Sequence, residues 1–167
     1  DTPSPAPEVW GVLRTTAVQS LRYIQEENKE LPTHLAPRPE AEVMPGDVLF
    51  TRAGPMNRVG ISCLVASTRP RLMLSDKIIR FRPKAEKLDG RFTALCLNAG
   101  VTADYLERAK SGMAASQVNI SQAKLKAAPI PLPPLPEQHR IVAKVDELMT
   151  LCDRLEARQA DAQHAHA

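Results

Sequence analysis

The sequence predicts an α+β protein, in which a mixed globular domain is followed by a long C-terminal amphipathic helix of the coiled-coil type. Three observations predict it. Short apolar, β-branched runs separated by turn signals fill the chain up to Asp89. Helical spacing of apolar residues replaces them after Asp89. Five prolines within residues 129–136 then precede a regular heptad seam.

The elements follow in order. Residues 1–8, rich in Pro and Ala, read as a disordered lead-in. Trp10 to Ser20 suits a strand and then a turn, and residues 21–42 predict a short polar helix followed by an irregular loop. Pro45-Gly46-Asp47 is a turn signal ahead of a strand at residues 48–51. Arg52 to Arg58 forms a loop whose Gly54 and Pro55 interrupt regular structure. Strands are expected at residues 59–66 and 72–81. Residues 90–110 predict one or two short helices broken near Gly100, and Ser121 caps another that ends near Ala127.

Residues 129–136 can be neither helix nor central strand, because so many prolines remove backbone donors; an extended crossing segment or edge strand remains. The globular domain therefore spans 9–136 and the helix 137–163. Along that helix Ile141, Val145, Leu148, Cys152 and Leu155 step by four and three residues, with Val142 and Met149 widening the stripe. A fully helical 137–162 would be about 40 Å long at ~1.5 Å per residue. A terminal helix packed on its own domain and a helix that meets a partner helix both fit the stripe. Its length and its place beyond the proline boundary favour the partner.

Composition narrows the function classes. Hydrophobic residues at 43% and charged residues at 25% allow an ordinary buried core, while aromatics at 4% speak against a surface that stacks bases or sugars. No apolar run nears the ~20 residues that span a bilayer, so a soluble, cytoplasmic protein without membrane partners is expected. Cys63, Cys96 and Cys152 include no C-x-x-C pair and read as small buried hydrophobes rather than zinc ligands or disulfide partners. Charge is unevenly spread: residues 1–50 hold four Lys/Arg against eight Asp/Glu, and residues 51–91 hold ten against three. A cationic surface of that kind suits phosphate neutralisation, although solvated basic loops give the same count.

No catalytic or metal site emerges. The seven glycines form neither a dinucleotide fingerprint nor a P-loop, and there is no G-x-S-x-G or H-E-x-x-H. What remains is the loop carrying Arg52, Asn57 and Arg58, side-chain types whose donors match guanine and adenine edges. With Arg69, Lys77 and Arg80 in the same basic stretch, it forms the candidate DNA-binding set. An adaptor that only binds protein through its helix, and a nuclease or methyltransferase fragment, are the other readings; missing cofactor and metal motifs weigh against the last.

The run Ile130-Pro131-Leu132-Pro133-Pro134-Leu135-Pro136-Glu137-Gln138-His139-Arg140-Ile141-Val142, continuing to Glu156, resembles a junction in the specificity subunits of type I restriction-modification enzymes. There a target recognition domain passes into a spacer helix. Asn119-Ile120-Ser121, Pro45 to Arg52 and Leu74 to Pro83 are similar to other segments of that family, and the likeness covers roughly residues 10–158. The resemblance implies a non-catalytic protein that selects a sequence of double-stranded DNA. It implies adenine methyltransferase subunits and a restriction/translocase subunit as partners, with S-adenosylmethionine, ATP and Mg on them rather than on this chain. Two recognition domains and two paired spacer helices make up the usual subunit, and one of each is present here. A second specificity half, or self-association through the C-terminal helix, is therefore expected. The resemblance also implies a further strand and loop ahead of Trp10, which would leave the 9–136 domain N-terminally incomplete. A half-subunit, a fragment and a decayed product all fit that count.

Overall fold

The computed structural model describes residues 6–165. The chain enters β1 (Gly11–Leu13), a 3-10 turn at Thr15–Ala17, and a small hairpin of β2 (Val18–Gln19) and β3 (Arg22–Tyr23). β4 (Asn28–Glu30) returns antiparallel to β1. After an irregular stretch come β5 (Val48–Thr51), β6 (Ala53–Gly54), β7 (Ser62–Leu64), β8 (Leu72–Met73) and β9 (Ile78–Phe81). The helical part holds α1 (Gly90–Asn98) and α2 (Gly100–Ala109), the hairpin of β10 (Ser111–Ala114) and β11 (Gln117–Asn119), then α3 (Gln122–Lys126) and α4 (Leu135–Ala165). Only the start of the expected lead-in, residues 1–5, lies outside the described residues; residues 6–9 form a turn closed by the Val9 N–H on the Ala6 carbonyl at 3.1 Å.

β5 is the centre of the fold, flanked antiparallel by β7 and β9. All four of its residues are buried, which a strand shows only when both faces are covered. Val48 and Phe50 face α1, α2 and α3 in a core with Ala94, Leu97, Leu106 and Ile120. Leu49 faces the other way, into a core with Leu13, Val18, Val43, Cys63, Val65 and Leu72. The period-two pattern of one strand thus supplies two cores.

Helix ends follow their caps. Asp89 accepts the Phe92 N–H at 2.7 Å to start α1, and Ser121 accepts the Lys124 N–H at 3.3 Å to start α3. Gly100, at φ 69°, takes the left-handed conformation that lets α2 begin directly after α1. Residues 128–134 form neither helix nor strand, as the prolines require. α4 starts at Leu135, two residues before the expected 137, because a proline at the second helical position loses only an N–H that has no intrahelical acceptor.

Four expectations are corrected. Residues 21–42 hold β3, β4 and a 3-10 turn at Pro39–Ala41 instead of a helix, since β3 pairs with β2 and β4 with β1. The 59–66 strand shrinks to Ser62–Leu64. The 72–81 strand is two, β8 and β9, belonging to different sheets. Cys152 is exposed on α4, whereas Cys63 and Cys96 are buried. The β10–β11 hairpin was not expected. A side chain at Gly112 would meet the Gln117 carbonyl at 2.3 Å, so its closeness depends on glycine.

Candidate nucleic-acid interface

The basic stretch divides into cations that brace the fold and cations that face outward. Arg58 is a brace: its Nη2 donates to the Thr15 and Val18 carbonyls at 2.7 and 2.8 Å, and its Nη1 to Gln19 Oε1 at 3.2 Å. Arg69 donates through Nη1 to the Val9 and Pro70 carbonyls, and burial holds its guanidinium below the ordinary arginine range. Arg80 donates to the Glu40 and Glu42 carbonyls and reaches Asp47 Oδ2 at 3.4 Å. Arg82 Nε lies 2.6 Å from Asp47 Oδ1, and that hydrogen bond raises the Arg82 pKa. Asp47 is completely buried, and its carboxylate also accepts the Met44 N–H at 2.9 Å. A buried carboxylate needs such partners. Of the sequence-derived set, Arg58, Arg69 and Arg80 therefore donate to groups of their own chain.

Asn57 and Lys77 are exposed, Arg52 is half-buried, and the fold brings Arg52 and Lys77 together. The Arg52 N–H bonds the Lys77 carbonyl at 2.9 Å, and Arg52 Nε donates to the Asp76 carbonyl at 3.0 Å. Lys77 is exposed. Asn57 sits exposed on a 3-10 turn at Met56–Arg58, one residue after the Met56 N–H bonds the Ala115 carbonyl at 2.8 Å. β6 pairs with β11, so the loop and the β10–β11 hairpin form one surface. Exposed Ser116 and Gln117 stand beside Asn57's loop.

Next to Arg52 lies an open groove of about 530 Å³. Its origin is topological. β1 and β8 run parallel, so the residues after each, Arg14 and Thr15 on one side and Ser75 to Lys77 on the other, leave the sheet at the same end. Lys29 of β4 and Arg38 of the following loop complete the wall. Arg14, Lys29, Arg38 and Lys77 thus surround a depression whose lining has one acid, Asp76. Sequence reading missed Arg14, Lys29 and Arg38 because they belong to the acidic segment 1–50. Within that segment Asp47 is engaged as above, Glu27 accepts from Thr16 Oγ1, and Glu42 accepts the Arg71 N–H. The available signal was position: Arg14 directly follows a strand.

The helix seam also divides. Ile141 and Val145 are half-buried against the domain, while Leu148, Cys152 and Leu155 are exposed, Leu148 by 48% and Leu155 by 54%. Leu151 adds a further exposed apolar side chain at 51%. Only the first three turns of α4 therefore lie on its own domain. Among the described residues there is no cluster of His, Cys, Asp and Glu fit to hold a metal ion, and no helix is long and apolar enough to cross a membrane.

Residues 46–163 match the family described as the type I restriction modification DNA specificity domain. The chain belongs to this family. It is 55% identical over 161 residues to the specificity subunit of the type I restriction enzyme EcoEI of Escherichia coli, a match that covers 96% of this chain and 27% of that protein. The EcoBI specificity subunit of the same organism is 25% identical over 142 residues, covering 85% of this chain and 28% of the relative. The chain thus spans about a quarter of the length of these relatives. In fold it is similar to the HsdS subunit from Thermoanaerobacter tengcongensis, with a TM-score of 0.71 at 24% identity over 98% of this chain and 43% of that one. A chain from a structural study of type I R-M complex assembly gives 0.68 at 22% identity, with the same coverage of both chains.

Proposed function

We propose that this chain forms one recognition half of a type I specificity subunit, reading part of a split target in double-stranded DNA and catalysing nothing itself. The observation that carries the reading is the cation-lined groove where β1 and β8 leave the sheet, set beside the loop that holds Arg52 and Asn57. Arg38 and Lys77, with Arg14 and Lys29, neutralise phosphates and fix the register; Arg52 and Asn57 read base edges. Arg58, Arg69 and Arg80 keep the loops rigid so that the readers stay in place.

The exposed seam of Leu148, Cys152 and Leu155 pairs with a second helix, supplied by a second specificity half or another copy of this chain. Adenine methyltransferase subunits and a restriction/translocase subunit assemble on that scaffold, and S-adenosylmethionine, ATP and Mg are theirs. A cytoplasmic location is part of the same reading, because the chain must meet DNA there. The test is selection from a randomised duplex pool with the purified chain, followed by sequencing of the bound DNA. An enriched short motif is expected. Bound DNA with the composition of the starting pool would contradict the reading and favour a protein-binding adaptor.

A further inference from the structure

Where α4 leaves the domain, one side chain holds two separate parts of the fold. Arg91 stands at the second position of α1, where the positive end of the helix dipole disfavours a cation and no acid occupies the first turn. Its partners explain its presence. Nη1 donates to the Leu21 carbonyl, and Nη2 to Asp146 Oδ1 of α4 at 2.7 Å. Leu21 forms the turn between β2 and β3 at φ 59°, a left-handed conformation poor for its side chain, and its N–H is held by the Ser62 carbonyl at 2.9 Å. The hairpin that Arg91 grips is therefore anchored to β7. On its other side, that hairpin is braced by Arg58 through the Val18 carbonyl and Gln19.

A helix fixed at one point can still swing; fixed at two, it has a direction. The helix start is fixed by Gln138, fully buried and bonded to Asp89, Lys87 and Pro133, with Ile141 and Val145 half-buried behind it. The second point is Asp146, eight residues or about 12 Å further along at ~1.5 Å per residue. Beyond it every described side chain on α4 is exposed. We infer that Arg91 is a positioning residue that sets the direction of α4 relative to the domain, by tying the Leu21 carbonyl to the Asp146 carboxylate while Gln138 fixes the helix start. The bidentate reach of the guanidinium makes this possible, since an ammonium is a single point charge. The direction of the helix would in turn decide where a second recognition half lies, a consequence that rests on the proposed function. The positioning itself does not.

The test is a distance distribution by double electron–electron resonance on the full chain without DNA. One spin label goes on native exposed Cys152 and the other on Glu30→Cys in β4; labelled chain is diluted with unlabelled chain so that only intramolecular pairs are read. A single narrow peak is expected. Asp146→Ala should broaden and shift it at unchanged helical circular dichroism, Arg91→Ala should do the same, and Asp146→Glu should restore the narrow peak. Molar salt should broaden the parent peak as well, since the pair is partly exposed. An Asp146→Ala distribution identical to the parent's would overturn the inference. So would broadening in Arg91→Ala alone, which would confine Arg91 to a role within the domain. Because no DNA is present, these outcomes are independent of the DNA-binding reading.

Discussion

Gln138 Oε1 accepts the backbone N–H of Asp89 at 2.9 Å, in a site where Gln138 is fully buried. The same amide donates through Nε2 to the Lys87 and Pro133 carbonyls at 2.9 and 2.8 Å. One side chain therefore satisfies three main-chain groups from the loop before α1 and the segment before α4. Gln138→Leu fills a similar volume but leaves those groups unpaired. Loss of about 1–3 kcal/mol of stability is expected in urea denaturation. Gln138→Glu should cost at least as much, because it sets a carboxylate against two carbonyls. Equal denaturation midpoints for the parent and both variants would contradict this assignment.

Asp47 gives a second expectation. Its buried carboxylate holds Arg80, Arg82 and the Met44 N–H. Asp47→Asn removes the charge while keeping the shape, and a loss of about 1.5–3 kcal/mol is expected from weakened charge-assisted bonds. Arg82 is 57% exposed and recovers water, so Arg82→Gln should cost much less than Asp47→Asn. The comparison of the two midpoints checks the order.

Thiol chemistry separates the three cysteines. Burial pushes the Cys63 thiol from its ordinary 9.0 up to about 12 and raises Cys96 too, whereas Cys152 is exposed. At pH 8 an aromatic disulfide reagent should titrate one thiol quickly in the native chain and three after denaturation. Cys152→Ser should abolish the fast phase. Fast reaction of two or more thiols in the native state would contradict the burial.

Alkaline pH should destabilise the domain. Tyr23, half-buried and hydrogen-bonded to Thr68 at 3.0 Å, is also pushed up to about 12, chiefly by desolvation, from 10.0. For both Cys63 and Tyr23 the folded pKa lies above the unfolded one, so the unfolded chain loses these protons first. Their contribution is complete below pH 9 and is lost as pH rises from 9 towards 12. The melting temperature should fall across that window, and less steeply in Cys63→Ala. An equal slope in that variant would remove Cys63 from the explanation.

Much of this was legible in the sequence, for identifiable reasons. The β5 run, the break at Gly100, the Ser121 cap and the heptad seam are local signals, and each formed close to where it was expected. The roles of the arginines were not legible. Arg58 and Lys77 are both cations in the same basic stretch, yet one is turned onto carbonyls some forty positions away and the other faces solvent. Such assignments depend on which distant carbonyls lack a donor after folding. The groove was hidden for the same reason: Arg14, Lys29 and Lys77 meet only because β1 runs parallel to β8 and antiparallel to β4.

In the proposed function, outward cations hold phosphates while the 52–58 loop reads bases. This division of roles is tested most directly by the salt dependence of binding to the selected duplex, measured by fluorescence anisotropy for the parent, Arg38→Gln/Lys77→Gln and Asn57→Ala. The double variant should weaken binding to all sequences and flatten the slope of log K against log salt by about 0.9 per lost contact. Asn57→Ala should leave the slope unchanged and relax the preference among target sequences. An unchanged slope in the double variant, together with unchanged sequence preference in Asn57→Ala, would contradict the account.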